Sequence, residues 1–174
     1  MIGMAQMFRT PPMGAFEKVA DVRVTSDVSS VLVADGLDLD RDVLYQLIMI
    51  LKNPLTVANA YRLCLNGDTT WTNYYFQHCE ATGTIVAASR VNDAEVAYAN
   101  AGTCTLSIVT IVRTPDGYPR WVVHQSKHSI SGVVDQTYAG GRNVAENVKR
   151  IELHSANAGG IGAGSRIILL RLSP

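Results

Sequence analysis

The stretch Thr103–Lys127, TCTLSIVTIVRTPDGYPRWVVHQSK, decides the fold of this chain. Cys104, Leu106 and Ile108 alternate with Thr103, Thr105 and Ser107. A two-residue period places successive side chains on opposite faces of a strand. Pro115-Asp116-Gly117 follows as a turn signal, because proline presets its backbone angle and glycine tolerates a left-handed one. Arg120–Gln125 then answers the first segment, and the whole stretch is predicted to be a β-hairpin.

Outward from this hairpin the pattern repeats. Phe16–Thr25 alternates in part, and Val31–Leu39 runs into the turn at Asp35-Gly36. Val43–Leu51 is a near-continuous apolar run closed by Asn53-Pro54. Ala58–Leu65 alternates and stops at Asn66-Gly67-Asp68, and Asn73–Glu80 reads as the next strand. Ala145–Leu153 and Ser165–Leu172 end the chain on either side of a glycine-rich loop. In the last segment Ile167 and Leu169 occupy one face, and Ile168, Leu170 and Leu172 the other. Apolar residues on both faces predict burial between two layers. Asp40–Lys52 and Val91–Asn100 are the helical competitors, and neither sustains a 3.6-residue stripe. About eight to ten short strands with regular turns predict an all-β, antiparallel β-sandwich or barrel. Residues 1–15, MIGMAQMFRTPPMGA, read as an extended N-terminal arm, and 16–174 as a single β-sandwich domain. Met4, Met7, Phe8 and Met13 give the arm an apolar character suited to docking on a partner.

Composition narrows the function classes. Of 174 residues, 47% are hydrophobic and only 17% charged, which predicts a neutral-polar surface. Fifteen basic residues balance fifteen acidic ones, so no global field attracts nucleic acid or anionic lipid. No apolar run reaches the roughly 18–20 residues of a membrane span. The arm has no apolar signal core, and three cysteines cannot all pair within one chain. Both features predict reduced thiols in a protein made in the cytosol.

No catalytic motif stands out. Gly159–Ser165 is glycine-rich, but a strand follows it where a nucleotide loop would open a helix. His124 and His128 share a strand face about 13 Å apart, too far for one metal ion. His78 and Cys79 are neighbours and face opposite ways, so they cannot both join Cys64 around zinc without distortion. Glu80, Asp93, Glu95 and Asp135 could serve a glycosidase, yet nothing selects a pair. Asp35, Asp38, Asp40 and Asp42 lack the spacing of a calcium loop. Trp71 and Tyr74 lie around the Asn66–Asn73 loop and are the candidates for a surface contact or for stacking on a glycan. The expectation is a non-enzyme without metal or cofactor.

Three segments carry a resemblance. They are Gly36-Leu37-Asp38-Leu39-Asp40-Arg41-Asp42-Val43-Leu44-Tyr45; Tyr61–Thr69 followed by Asn73-Tyr74-Tyr75; and Ile151-Glu152-Leu153 followed by Ala163–Leu170. Together they resemble β-sandwich structural proteins of tailed-bacteriophage virions, of the capsid-decoration, head-fibre or tail-associated type. The likeness spans roughly residues 36–76 and 150–172. The ending Leu170-Arg171-Leu172 departs from the aromatic-glycine ending it leads one to expect. The resemblance implies a jelly-roll-like sandwich, a homotrimer, binding to the major capsid protein or other virion subunits, and location in the virion after synthesis in the host cytoplasm. It implies no enzymatic activity. The alternative is a receptor- or carbohydrate-binding tail or fibre module, under which a glycan would be the ligand.

Overall fold

A computed structural model describes residues 15–82, 85–129 and 132–174. Twelve strands run through them: β1 (Phe16–Arg23), β2 (Ser30–Ala34), β3 (Leu44–Lys52), β4 (Asn59–Leu65), β5 (Tyr74–Thr82), β6 (Ile85–Val91), β7 (Glu95–Ala99), β8 (Cys104–Arg113), β9 (Pro119–Ser129), β10 (Gly132–Arg142), β11 (Ile151–Ser155) and β12 (Arg166–Leu172). A short 3-10 turn, Trp71–Asn73, precedes β5. All pairings are antiparallel.

Eight of these strands form a jelly roll. Their two layers have the orders β1-β12-β3-β8 and β2-β11-β4-β7, the double wrapping of an antiparallel sandwich. Two hairpins, β5–β6 and β9–β10, are inserted into this frame and both join the same layer. That layer becomes an eight-stranded sheet, β1-β12-β3-β8-β9-β10-β5-β6, facing a four-stranded one. The two hairpins raise the strand count above the eight to ten expected.

The predicted hairpin is β8–β9, with Ile111 opposite Trp121 and a left-handed Gly117 in the turn. The helical competitors are strands: Asp40–Lys52 contains β3, and Val91–Asn100 contains β7, which pairs with β4. In β3, alternate residues Tyr45, Leu47, Met49 and Leu51 point inward. They pack with Val109, Ile111, Ile167 and Leu169 of their own sheet and with Tyr61, Leu63, Leu65, Ile151 and Leu153 of the other.

One expectation needs correcting. The apolar second face of β12 is not buried between layers, and that of its neighbour β3 is partly exposed alongside it. Ile50 is 50% exposed, Ile48, Ile168 and Leu170 are half-buried, and no described element covers them. They lie on the outer face of the large sheet.

The glycine-rich loop is a structural connection, as its context predicts. Gly159 and Gly164 take positive φ angles. A Cβ at Gly162 would meet the Lys52 carbonyl oxygen at 2.9 Å, and the Gly162 amide donates to that same oxygen.

Candidate functional site

The arm residues Met4, Met7, Phe8 and Met13 lie outside the described residues. Tyr74 is described, and it is not a surface ring. It is fully buried on the inner face of β5, where its hydroxyl donates to the Asp68 carbonyl oxygen at 2.8 Å and accepts from the Leu65 amide at 3.1 Å. The chain folds back at Asn66-Gly67, both with positive φ, and this return covers the ring. Asp68 organises the loop. Burial alone would raise its pKa, but donors from Asn73, the Thr70 amide and Arg142 hold the carboxyl well below its usual range.

Trp71 is half-buried, packed beside the outer face of the small sheet. The Arg62 guanidinium lies 5.2 Å from its ring centroid, and the His154 ring meets it edge-on at 5.8 Å. Part of its surface is therefore already occupied. The acidic run is also in structural use. Asp42 accepts from the Tyr45 hydroxyl at 2.5 Å, Asp38 from Asn147 at 2.7 Å, and Asp40 pairs with Arg113.

Polar chemistry converges elsewhere, where the large sheet overhangs the small one. The inner face of the overhang is built in cross-strand rows. Trp121, Gly140 and Phe76 form one row; Val123, Tyr138 and His78 the next; Gln125, Gln136 and Glu80 the third. The rows thus change from aromatic to polar along the strands. The polar end faces β7, the last strand of the small sheet, across a cavity of about 370 Å³ lined by His78, Glu80, Glu95, Tyr98, Asn100, Lys127 and Gln136.

Each group in this cleft is held. The nearly buried Lys127 ammonium lies 3.1 Å from Glu80 and 4.7 Å from the Tyr98 ring centroid. Gln136 donates to the same Glu80 oxygen. Tyr138 Oη sits 2.7 Å from Gln125 Oε1 and 2.8 Å from Gln136 Oε1, and it also bonds the Glu95 carboxyl. Burial pushes Glu95 up to about 7, partly offset by that Tyr138 bond. Burial also raises Tyr138, and the neighbouring Glu95 adds to it. A near-neutral carboxyl beside a paired one in a cleft marks a functional-site candidate. The sequence offers both Glu80 and Glu95 but gives no reason to join them. The signal lies in the β5–β10–β9 register, which pairs residues far apart in the chain.

The edge of β7 at this cleft is closed by side chains. Gln125 donates to the Tyr98 carbonyl and accepts from the Tyr98 amide at 3.1 Å, imitating one rung of a strand. Ser107 donates to the Val96 carbonyl at 2.7 Å. Both satisfy backbone groups that a bare edge would leave open.

The opposite surface of the large sheet has a different character. Ile168, Ile48 and Ile108 form one cross-strand row, and Ile50 with Leu106 forms part of the next. Val122, one strand further, extends the field. Ile50, Leu106, Ile108 and Val122 are 37–54% exposed. Contiguous exposed aliphatic surface of this kind marks an interaction face.

His124 and His128 lie on this outer face and are exposed. His78 points into the cleft while Cys79 is exposed on the other side, which keeps both from joining Cys64. All three cysteines are free thiols. Among the described residues no helix is long and apolar enough to cross a membrane. No family model, curated protein or solved structure matches the chain.

Proposed function

We propose that this protein is a structural component of a tailed-bacteriophage virion, a capsid decoration or stabilising protein that works by contact rather than turnover. The observation that carries this reading is the aliphatic field on the outer face of the large sheet, which no described element covers, set on a jelly-roll frame. The three sequence segments that resemble virion proteins support it, as does the low charge. In this reading the field and the arm residues Met4, Met7, Phe8 and Met13 bury apolar area against the major capsid protein, other virion subunits, or the other copies of a homotrimer. Co-sedimentation with capsids lacking the protein, together with its mass in solution, tests it. Ile108→Asp should weaken association at least tenfold without unfolding the domain, because position 108 faces outward. Undiminished association of that variant, or a monomer that ignores capsids, would overturn the reading.

A second reading is a glycan-binding tail or fibre module, and the cleft favours it. Tyr98 lines the cavity with a ring 4.7 Å from the Lys127 ammonium, and Asn100, Gln136, His78 and Glu80 line it with groups of the kind a polyol hydrogen-bonds, some of which would exchange an internal partner for the ligand. Trp71 and Tyr74, the rings first expected to stack on sugar, are already engaged within the fold. On a glycan array, binding that survives Trp71→Ala and is lost in Tyr98→Ala would favour the cleft.

A further inference from the structure

On the outer face of the small sheet, β4 and β11 place three metal-binding side chain types together. Cys64 stands directly opposite Glu152 in the strand register, and His154 follows Glu152 by two residues on the same face. Their sulfur, oxygen and nitrogen atoms all lie within 4.8 Å of one another. His154 Nε2 and Glu152 Oε2 are 3.0 Å apart. A tetrahedral zinc shell with bonds of 2.0–2.3 Å has ligand-to-ligand edges of roughly 3.3–3.8 Å, so small side-chain movements would bring the three atoms onto such a shell.

The surroundings also fit. The Glu152 carboxylate lies within hydrogen-bond distance of His154 and faces Cys64 across the strand register. The three ligand atoms thus surround one point, where a single divalent ion would take the place of the Cys64 thiol proton. The other carboxylate oxygen, Oε1, is held by Arg150 Nε at 2.7 Å. Arg150 therefore orients the carboxylate and leaves Oε2 toward His154, the usual task of a group behind a metal ligand. Cys64 is fully buried beneath the Asn66–Asn73 loop, with its sulfur 3.4 Å from the Asp68 carbonyl oxygen. Trp71 screens His154 from one side. Thiolate, imidazole and carboxylate together suit zinc and not magnesium or calcium.

We infer that Cys64, Glu152 and His154 form a zinc site that cross-links β4 to β11 on the outer face of the small sheet. Three protein ligands leave a fourth position for water. On binding, the Cys64 S–H bond breaks, its proton passes to solvent, and the sulfur lone pair forms the bond to zinc; His154 coordinates through an unprotonated Nε2, any proton there passing by way of solvent to Nδ1, and no electron is transferred.

The test uses the full chain stripped of metal and titrated with Co²⁺ and then Zn²⁺. Expected is one Co²⁺ per chain with a near-ultraviolet thiolate-to-cobalt band, displaced by one Zn²⁺. The band should vanish in Cys64→Ser and persist in Cys79→Ser and Cys104→Ser, which remove the two exposed thiols. His154→Gln should weaken zinc binding at least tenfold. Zinc should raise the unfolding temperature of the native chain and leave that of Cys64→Ser unchanged, with circular dichroism confirming that both are folded. If Cys64→Ser does not fold, Glu152→Gln and His154→Gln with all three thiols intact take its place. The absence of a thiolate band, its survival in Cys64→Ser, its loss in Cys79→Ser or Cys104→Ser, or unchanged affinity in His154→Gln would overturn the site. The trio would then be a hydrogen-bonded cluster only.

Discussion

The two halves of the large sheet share one backbone ladder and differ in what lies against them. In the half formed by β1, β12, β3 and β8, the inner face meets the small sheet and is mostly apolar, Thr105 and Ser107 of β8 apart. In the half formed by β9, β10, β5 and β6, the covering layer stops at β7, and the inner face turns from Trp121 and Phe76 to Gln136 and Glu80. On β6 itself the described side chains are exposed. Strand pairing is thus indifferent to coverage, whereas side-chain choice follows it closely. The border between the halves is where polar groups collect, because there they can be partly desolvated and still find partners.

The contrast can be broken in graded ways. The largest effect is expected in the covered half. Leu63→Ala removes a fully buried side chain facing the large sheet and should cost about 4 kcal/mol in urea unfolding. A loss under 1 kcal/mol would mean that the two layers are loosely joined. At the border, Glu95 is the lever. Its folded pKa of about 7 lies above the ordinary 4.5, so the fold favours the neutral carboxyl. That contribution is full below about pH 4.5 and is lost as pH rises through about 7, a fall of up to about 3 kcal/mol. Glu95→Gln should flatten this part of the stability-against-pH curve. If the slope is unchanged, another group causes it. Next comes Gln125→Leu, which uncaps the Tyr98 backbone and should cost about 2 kcal/mol, read from the midpoint of thermal unfolding. The smallest effect belongs to the overhang. Val86 is 70% exposed, and Val86→Ala should stay within about 0.5 kcal/mol by the same measurement.

The legible parts of the fold were those written in local order. The β8–β9 hairpin follows from alternation plus Pro115-Asp116-Gly117, which needs only neighbouring residues. The ending Ile167–Leu172 was equally readable as apolar on both faces, but alternation says nothing about what covers a face. One face proved to be core and the other a half-buried surface that no described element covers. Tyr74 misled for a similar reason: its neighbours in sequence are loop residues, while its cover comes from the loop turning back over it. Glu80 and Glu95 were visible as residues. Their shared cleft depends on β5 pairing with β10 and on where the small sheet stops, and neither is encoded in a short window. Cys64 illustrates the limit best. Its partners Glu152 and His154 come from a strand nearly ninety residues later.

The pairing of β1 with β12 has a mechanical consequence. Phe16 stands opposite Leu172, so the chain enters and leaves the domain at adjacent points of the same sheet edge. Tension applied between these two points pulls across the ladder rather than along it. The rungs then carry the load one after another, beginning at Phe16–Leu172 and passing the Glu17–Arg171 pair before the Asp21–Arg166 pair. Strands loaded in this way peel, whereas strands pulled along their length share the force among all their rungs. The domain should yield at low force when stretched from these two points, with β1 leaving first and β3 and β8 still holding the rest of the sandwich.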